Sequence, residues 1–110
     1  SVISGEDALN WPILALCGKG FISVTANIVP DKFARLYKAA SEGNIETAKS
    51  LHYELLKLND VMFVETNPIP VKAALAVMGR IGNEFRLPLC PPSDDNLNKL
   101  KSVLKEYGIA

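Results

Sequence analysis

Gly18-Lys19-Gly20-Phe21-Ile22-Ser23-Val24-Thr25-Ala26-Asn27 is the stretch on which the fold class of this chain turns. From Gly20 to Thr25 it is short, apolar and rich in β-branched residues, which predicts a strand. Val2-Ile3-Ser4 has the same character and stops at Gly5-Glu6-Asp7, so a first strand precedes it. Between the two, Asn10 stands where a helix cap is needed and Pro12 falls in the first turn, where its missing N–H costs little. Ile13, Leu14 and Leu16 supply an apolar face, and Gly18 is positioned to close the helix. A crossover of only about a dozen residues suits parallel neighbouring strands with a right-handed connection.

Beyond Pro30 the hydrophobic period is helical. Asp31 to Glu42 carries Phe33, Leu36, Tyr37 and Ala40 on one face and ends at Gly43, which reads as a left-handed terminator. Asn44 then caps a long helix with Ile45, Ala48, Leu51, Leu55, Leu58 and Met62 at three- and four-residue spacing. Asn67-Pro68-Ile69-Pro70 breaks that pattern and starts another helix, with Asn67 as cap and Pro68 as first helical residue. Its stripe is Val71, Ala74, Leu75 and Met78, and Gly79 and Gly82 end it. After a proline-punctuated loop, Ser93 caps a final helix with Leu97, Leu100, Leu104 and Tyr107 on one face and Gly108 past its end.

Two strands are too few for a stable sheet, and parallel apolar strands leave both outer edges unpaired. The pattern therefore fits the end of a larger parallel α/β structure followed by a helical extension, and predicts a fragment. Residues 1–43 hold the strand-helix units and residues 44–110 the all-helical part.

The 110 residues are 48% hydrophobic and 22% charged, which leaves room for one small globular piece. Twelve basic side chains balance twelve acidic ones, so the basic footprint needed for nucleic acid or anionic membrane is missing. No apolar run approaches the roughly 18 residues of a membrane span, and no signal segment opens the sequence, which predicts a cytoplasmic protein. Mean hydropathy is slightly positive at +0.13, and this predicts apolar surface that meets a partner.

Catalytic groups are sparse. Cys17 and Cys90 have no metal-ligand spacing and read as inert reduced thiols, free cysteines being commonly buried. His52 is the single histidine; it cannot build a two-histidine metal site and reads as a surface or boundary residue. No metal and no cofactor is expected. Glu6 and Asp7 follow a strand end, where α/β proteins place functional groups, yet paired carboxylates before a helix more commonly serve its dipole or are solvated. Gly18-Lys19-Gly20 lacks phosphate-loop spacing and precedes a strand. Lys19 and Lys72 are the lysines to weigh as imine-forming nucleophiles, but Lys72 sits in a first helical turn where an exposed salt bridge is expected. Ser4, Ser23 and Thr25 have no histidine near enough to activate them. No catalyst can be assembled from these residues alone.

Ser4-Gly5-Glu6-Asp7, the Gly18 to Asn27 string, Asn67-Pro68-Ile69-Pro70-Val71-Lys72 and Leu87-Pro88-Leu89, in this order, resemble the C-terminal part of the 4-hydroxy-tetrahydrodipicolinate synthase (dihydrodipicolinate synthase) family, within the N-acetylneuraminate lyase superfamily. The resemblance covers essentially the whole chain. It departs at Cys17, where the family commonly has glycine, and at Glu6, where it has aspartate. The resemblance implies an α/β fold: the last two β/α units of a (β/α)8 TIM barrel followed by a C-terminal helical domain. A barrel alone takes about 250 residues, so most of it would lie elsewhere.

The activity implied is that of a Schiff-base lyase of lysine biosynthesis by the diaminopimelate route. A lysine forms an imine with pyruvate, the enamine adds to aspartate semialdehyde and the adduct cyclises. In the family the imine lysine, its tyrosine partner, the proton relay and the lysine-inhibitor site lie upstream of the part resembled here, so no catalytic residue is expected in this chain and it should be inactive alone. By position in the motif, Ile22 matches a residue lining the pyruvate pocket, and Gly5 lies beside the same pocket. The resemblance further implies a homotetramer; self-association through the unpaired strands is the other form of homo-oligomer expected. Two other readings compete: another pyruvate-dependent aldolase of the superfamily, and a stand-alone helical interaction module.

Overall fold

Ile3 pairs with Gly20 and Ser4 with Phe21 in a two-stranded parallel sheet. The computed structural model describes all 110 residues, and its strands are β1 (Ile3–Ser4) and β2 (Gly20–Phe21). Pairing extends through Lys19 N–H to Val2 O and Ile22 N–H to Ser4 O, both at 2.8 Å. The strand expected from Gly20 to Thr25 is thus shorter than its composition suggests. Past Ile22 no further partner strand is available, Ser23 Oγ accepts the Ala26 N–H at 2.9 Å, and the chain turns into a 3₁₀ segment, Thr25–Asn27.

Helix α1 (Asn10–Ala15) follows a 3₁₀ turn at Asp7–Leu9. Asn10 is not its cap: Leu9 holds that position without a side-chain bond, and the Asn10 amide is buried in contacts to Ser4 and Asp7. The helix ends with Cys17 in the left-handed region at φ 68°, while Gly18 N–H reaches Ile13 O at 2.8 Å and Cys17 N–H reaches Leu14 O at 3.1 Å. These are the paired closing bonds of a Schellman turn. Gly18 is needed for a different reason from the one its position suggested, since a Cβ there would lie 2.6 Å from Ile13 Cγ2.

Helices α2 (Pro30–Ser41), α3 (Ile45–Val61), α4 (Ile69–Val77) and α5 (Asp94–Glu106) follow the expected pattern closely. Asn44 Oδ1 accepts the Thr47 N–H at 3.2 Å and Ser93 Oγ the Asn96 N–H at 3.3 Å, so both caps form. Gly43, Gly79 and Gly108 all have φ near +70°, a left-handed conformation that glycine, having no Cβ, adopts without the penalty other residues incur. At α4 the cap is Pro68, not Asn67, and Pro70 occupies the first turn. Tyr37 and Ile45, expected on buried faces, are exposed.

The chain divides into two compact units, Ser1–Asn59 and Asp60–Ala110. In the first, α1 packs on α2, and Phe33, Leu36, Ala39, Ala48, Leu51, Leu55 and Leu58 are buried. Phe21 meets Phe33 edge to face at 5.8 Å, which ties the sheet to α2. In the second, α4 packs on α5, with Ile69, Val71, Ala74, Leu100 and Leu104 buried. No helix is long and apolar enough to cross a membrane.

Candidate functional site

Because Ser4 is opposite Phe21 in a parallel register, Gly5 and Ile22 are the next residues along and stand side by side where the two strands end. Ile22 is 77% exposed, although its N–H is held by Ser4 O. Gly5 is also exposed, and a Cβ on it would meet no atom within 4 Å. The two strand ends therefore present an aliphatic side chain and a bare stretch of backbone, open on the outer side.

Beneath them lies a buried polar chain. Ser4 Oγ donates to Asn10 Oδ1 at 2.7 Å, and Asn10 Nδ2 donates to Asp7 Oδ1 at 3.0 Å. Asp7 Oδ2 in turn accepts the N–H groups of Val24 at 3.0 Å and Thr25 at 2.9 Å. Asp7 is only 3% exposed, so its charge has left water; three hydrogen bonds, each stronger for being made to an ion, offset that desolvation. The paired acids at this strand end consequently differ in role. Asp7 is a buried brace, whereas exposed Glu6 caps the 3₁₀ turn through Ala8 N–H at 3.3 Å. Neither Asn10 nor Asp7 is legible in the sequence as a member of one network, because Asp7 reaches Val24 and Thr25 across 17 and 18 residues. An acid three residues before an asparagine is too common a pattern to have signalled it.

The other candidates are scattered. Cys17 and Cys90 are free and exposed, against the burial that free cysteines favour. His52 lies half-buried on α3 between the rings of Trp11, at 5.5 Å, and Tyr53, at 5.3 Å; burial draws its pKa below the usual 6.5. Lys19 is exposed. Lys72 makes no salt bridge of the kind expected for it; its ammonium stands 5.4 Å from the centre of the Phe85 ring, a cation–π contact. Thr25 Oγ1 is buried and makes no hydrogen bond. No group of three His, Cys, Asp or Glu side chains is placed to hold a metal ion.

Comparison with known proteins identifies what this arrangement resembles. The profile described as the dihydrodipicolinate synthetase family matches residues 1–107. A 4-hydroxy-tetrahydrodipicolinate synthase of Thermodesulfovibrio yellowstonii is 57% identical over 109 residues, which are 99% of this chain and 38% of that protein. The crystal structure of the dihydrodipicolinate synthase of Aquifex aeolicus superposes with a TM-score of 0.97 at 49% identity, over 99% of this chain and 37% of the other. A chloride-inhibited dihydrodipicolinate synthase of Acinetobacter baumannii, in complex with pyruvate, superposes with a TM-score of 0.96 at 39% identity, over 100% of this chain and 38% of the other. The chain thus spans well under half the length of the relatives it matches.

Proposed function

The chain belongs to the dihydrodipicolinate synthetase family, and from that premise we propose that it contributes the pocket wall and the helical extension of a pyruvate-dependent lyase. Residues 1–43 form the last two β/α units of a (β/α)8 barrel and residues 44–110 its C-terminal helical domain. In the complete polypeptide, a cytoplasmic homotetramer without cofactor, a lysine outside these residues forms the imine with pyruvate. The enamine then adds to aspartate semialdehyde, on the diaminopimelate route to lysine.

The supporting observation is the pair of strand ends. Barrel enzymes build their sites where strands finish, and here a large aliphatic side chain, Ile22, is left exposed beside the bare backbone of Gly5. Ile22 packs against pyruvate and the imine, and Gly5 leaves room beside it. Within the chain no lysine is suited to imine formation, which needs a desolvated amine; Lys19 is exposed and Lys72 is engaged with Phe85. The exposed apolar residues Val2, Ile3 and Leu16 are then surfaces for the remaining barrel or another copy to cover.

Incubation with pyruvate and borohydride, read by intact mass, tests this directly. The complete polypeptide should acquire one reduced adduct and the 110-residue chain none; a stoichiometric adduct on Lys19 or Lys72 would overturn the assignment. In the complete polypeptide Ile22→Trp should block pyruvate turnover while leaving the melting temperature near that of the parent. Unchanged kinetics with a lowered melting temperature would instead make Ile22 a core residue.

A further inference from the structure

The hydrogen bonds beneath the strand ends form a continuous relay from one end to the other. It begins at Ser4, the residue before Gly5, passes through Asn10 and Asp7, and finishes on the N–H groups of Val24 and Thr25. Those two amides stand two and three residues after Ile22. On its other side Ile22 is held by its own N–H to Ser4 O. The backbone that carries the exposed side chain is therefore pinned before and after, and the second pin is a single buried carboxylate.

We infer that Asp7 is a positioning residue for the pyruvate pocket: it touches no substrate, and it sets the place of Ile22 by clamping the backbone just beyond it. This inference rests on the reading of Ile22 as pocket wall. Geometry rather than charge is what the clamp requires, because the relay has a second way of being satisfied. An asparagine at position 7 could accept Val24 and Thr25 N–H through its carbonyl oxygen and donate through its nitrogen to an Asn10 amide turned over. Asn10 would then donate to Ser4 Oγ, whose hydroxyl has Glu6 O within 3.0 Å as an alternative acceptor. Alanine offers no such route and leaves the buried Thr25 donor and the part-buried Val24 donor without their acceptor.

The test compares variants of the complete enzyme by steady-state kinetics and melting temperature. Asp7→Ala should raise the pyruvate KM by about tenfold or more, in keeping with the large effect of small misplacements near a reacting centre, and Asp7→Asn should recover most of that loss. A purely structural role would lower the melting temperature of Asp7→Ala and leave its pyruvate KM unmoved, and that result would overturn the inference. So would Asp7→Asn proving as damaging to KM as Asp7→Ala, since charge would then be the requirement. If Asp7→Ala does not fold, Asn10→Ala carries the test; it removes the donor that orients Asp7 and should raise the pyruvate KM in the same direction, an unchanged KM again overturning the inference. Ile22→Trp separates the two levels. If it spares pyruvate turnover the pocket reading itself fails, whereas impaired turnover there together with an unmoved KM in Asp7→Ala rejects the positioning role alone.

Discussion

Asp7 and Thr25 are 18 residues apart, and the Asp7 carboxylate accepts the Thr25 N–H at 2.9 Å. This contact, with its companion to Val24 at 3.0 Å, holds the backbone at the start of the 3₁₀ segment, beyond the end of the second strand. An acidic side chain here does the work that a neighbouring strand does elsewhere, supplying acceptors to backbone donors removed from water.

The left-handed residue Cys17 (φ 68°) is a local cost. Cys17→Gly should raise the stability of the 110-residue chain by about 1 kcal/mol, since the left-handed region costs an L residue roughly 1–2 kcal/mol and the extra chain entropy of glycine returns part of it. Its neighbour behaves oppositely: Gly18→Ala would force a Cβ to 2.7 Å from Ile13 O and should lose about 1–3 kcal/mol, as overpacking does. Urea midpoints of the two variants and the parent check both signs.

His52 makes stability depend on pH. Burial lowers its folded pKa below 6.5, so between the folded and unfolded values the unfolded chain binds more protons. Its contribution is fully present above pH 6.5 and is lost as pH falls from there toward the folded value. Urea midpoints should decline over that window before carboxylates titrate, and His52→Gln should flatten the decline; an equally steep decline in His52→Gln would assign it to another group.

At the start of α5 the Glu65 carboxylate accepts Asn96 Nδ2 at 3.0 Å and Ser93 N–H at 2.9 Å. The Asn96 side chain first and the Ser93 backbone second hold its pKa below 4.5. This depressed value contributes stability above about pH 4.5 that disappears as pH falls through the folded pKa. Glu65→Leu should therefore show a weaker acid dependence than the parent. Ser93→Ala should cost about 1 kcal/mol at neutral pH by removing the cap to Asn96 N–H. Thermal melts at pH 7 and pH 3.5 distinguish the two.

Burial separates residues of identical type. Leu104 is fully buried on α5, and Leu16 is 83% exposed after α1. Leu104→Ala should cost about 2–5 kcal/mol through lost burial and the cavity it leaves, whereas Leu16→Ala should stay within about 0.5 kcal/mol. Comparable losses in denaturant titrations would mean that Leu16 is covered in solution.

The sequence alone determined whatever depends on neighbours within a turn. The terminators Gly43, Gly79 and Gly108, the caps Asn44 and Ser93, and the buried stripe Ala48, Leu51, Leu55 and Leu58 were all legible, because a cap bond spans three residues and a stripe repeats every three or four. The motifs that carry the family resemblance were equally legible, being contiguous strings.

Tertiary structure decided the rest. Thr25 has the composition of a strand residue but leaves the sheet, since the short partner strand runs out and Asp7 takes its N–H. Asn10 has the composition of a cap but faces inward, since Ser4 and Asp7 offer it better partners than α1 does. Pro68 displaces Asn67 as cap of α4, and Cys17 takes the left-handed position while Gly18 packs close against Ile13. For Thr25 and Asn10 the competing partner is set by where the chain has already been placed, and local propensity, worth about 1 kcal/mol or less per residue, yields to a buried hydrogen bond worth more.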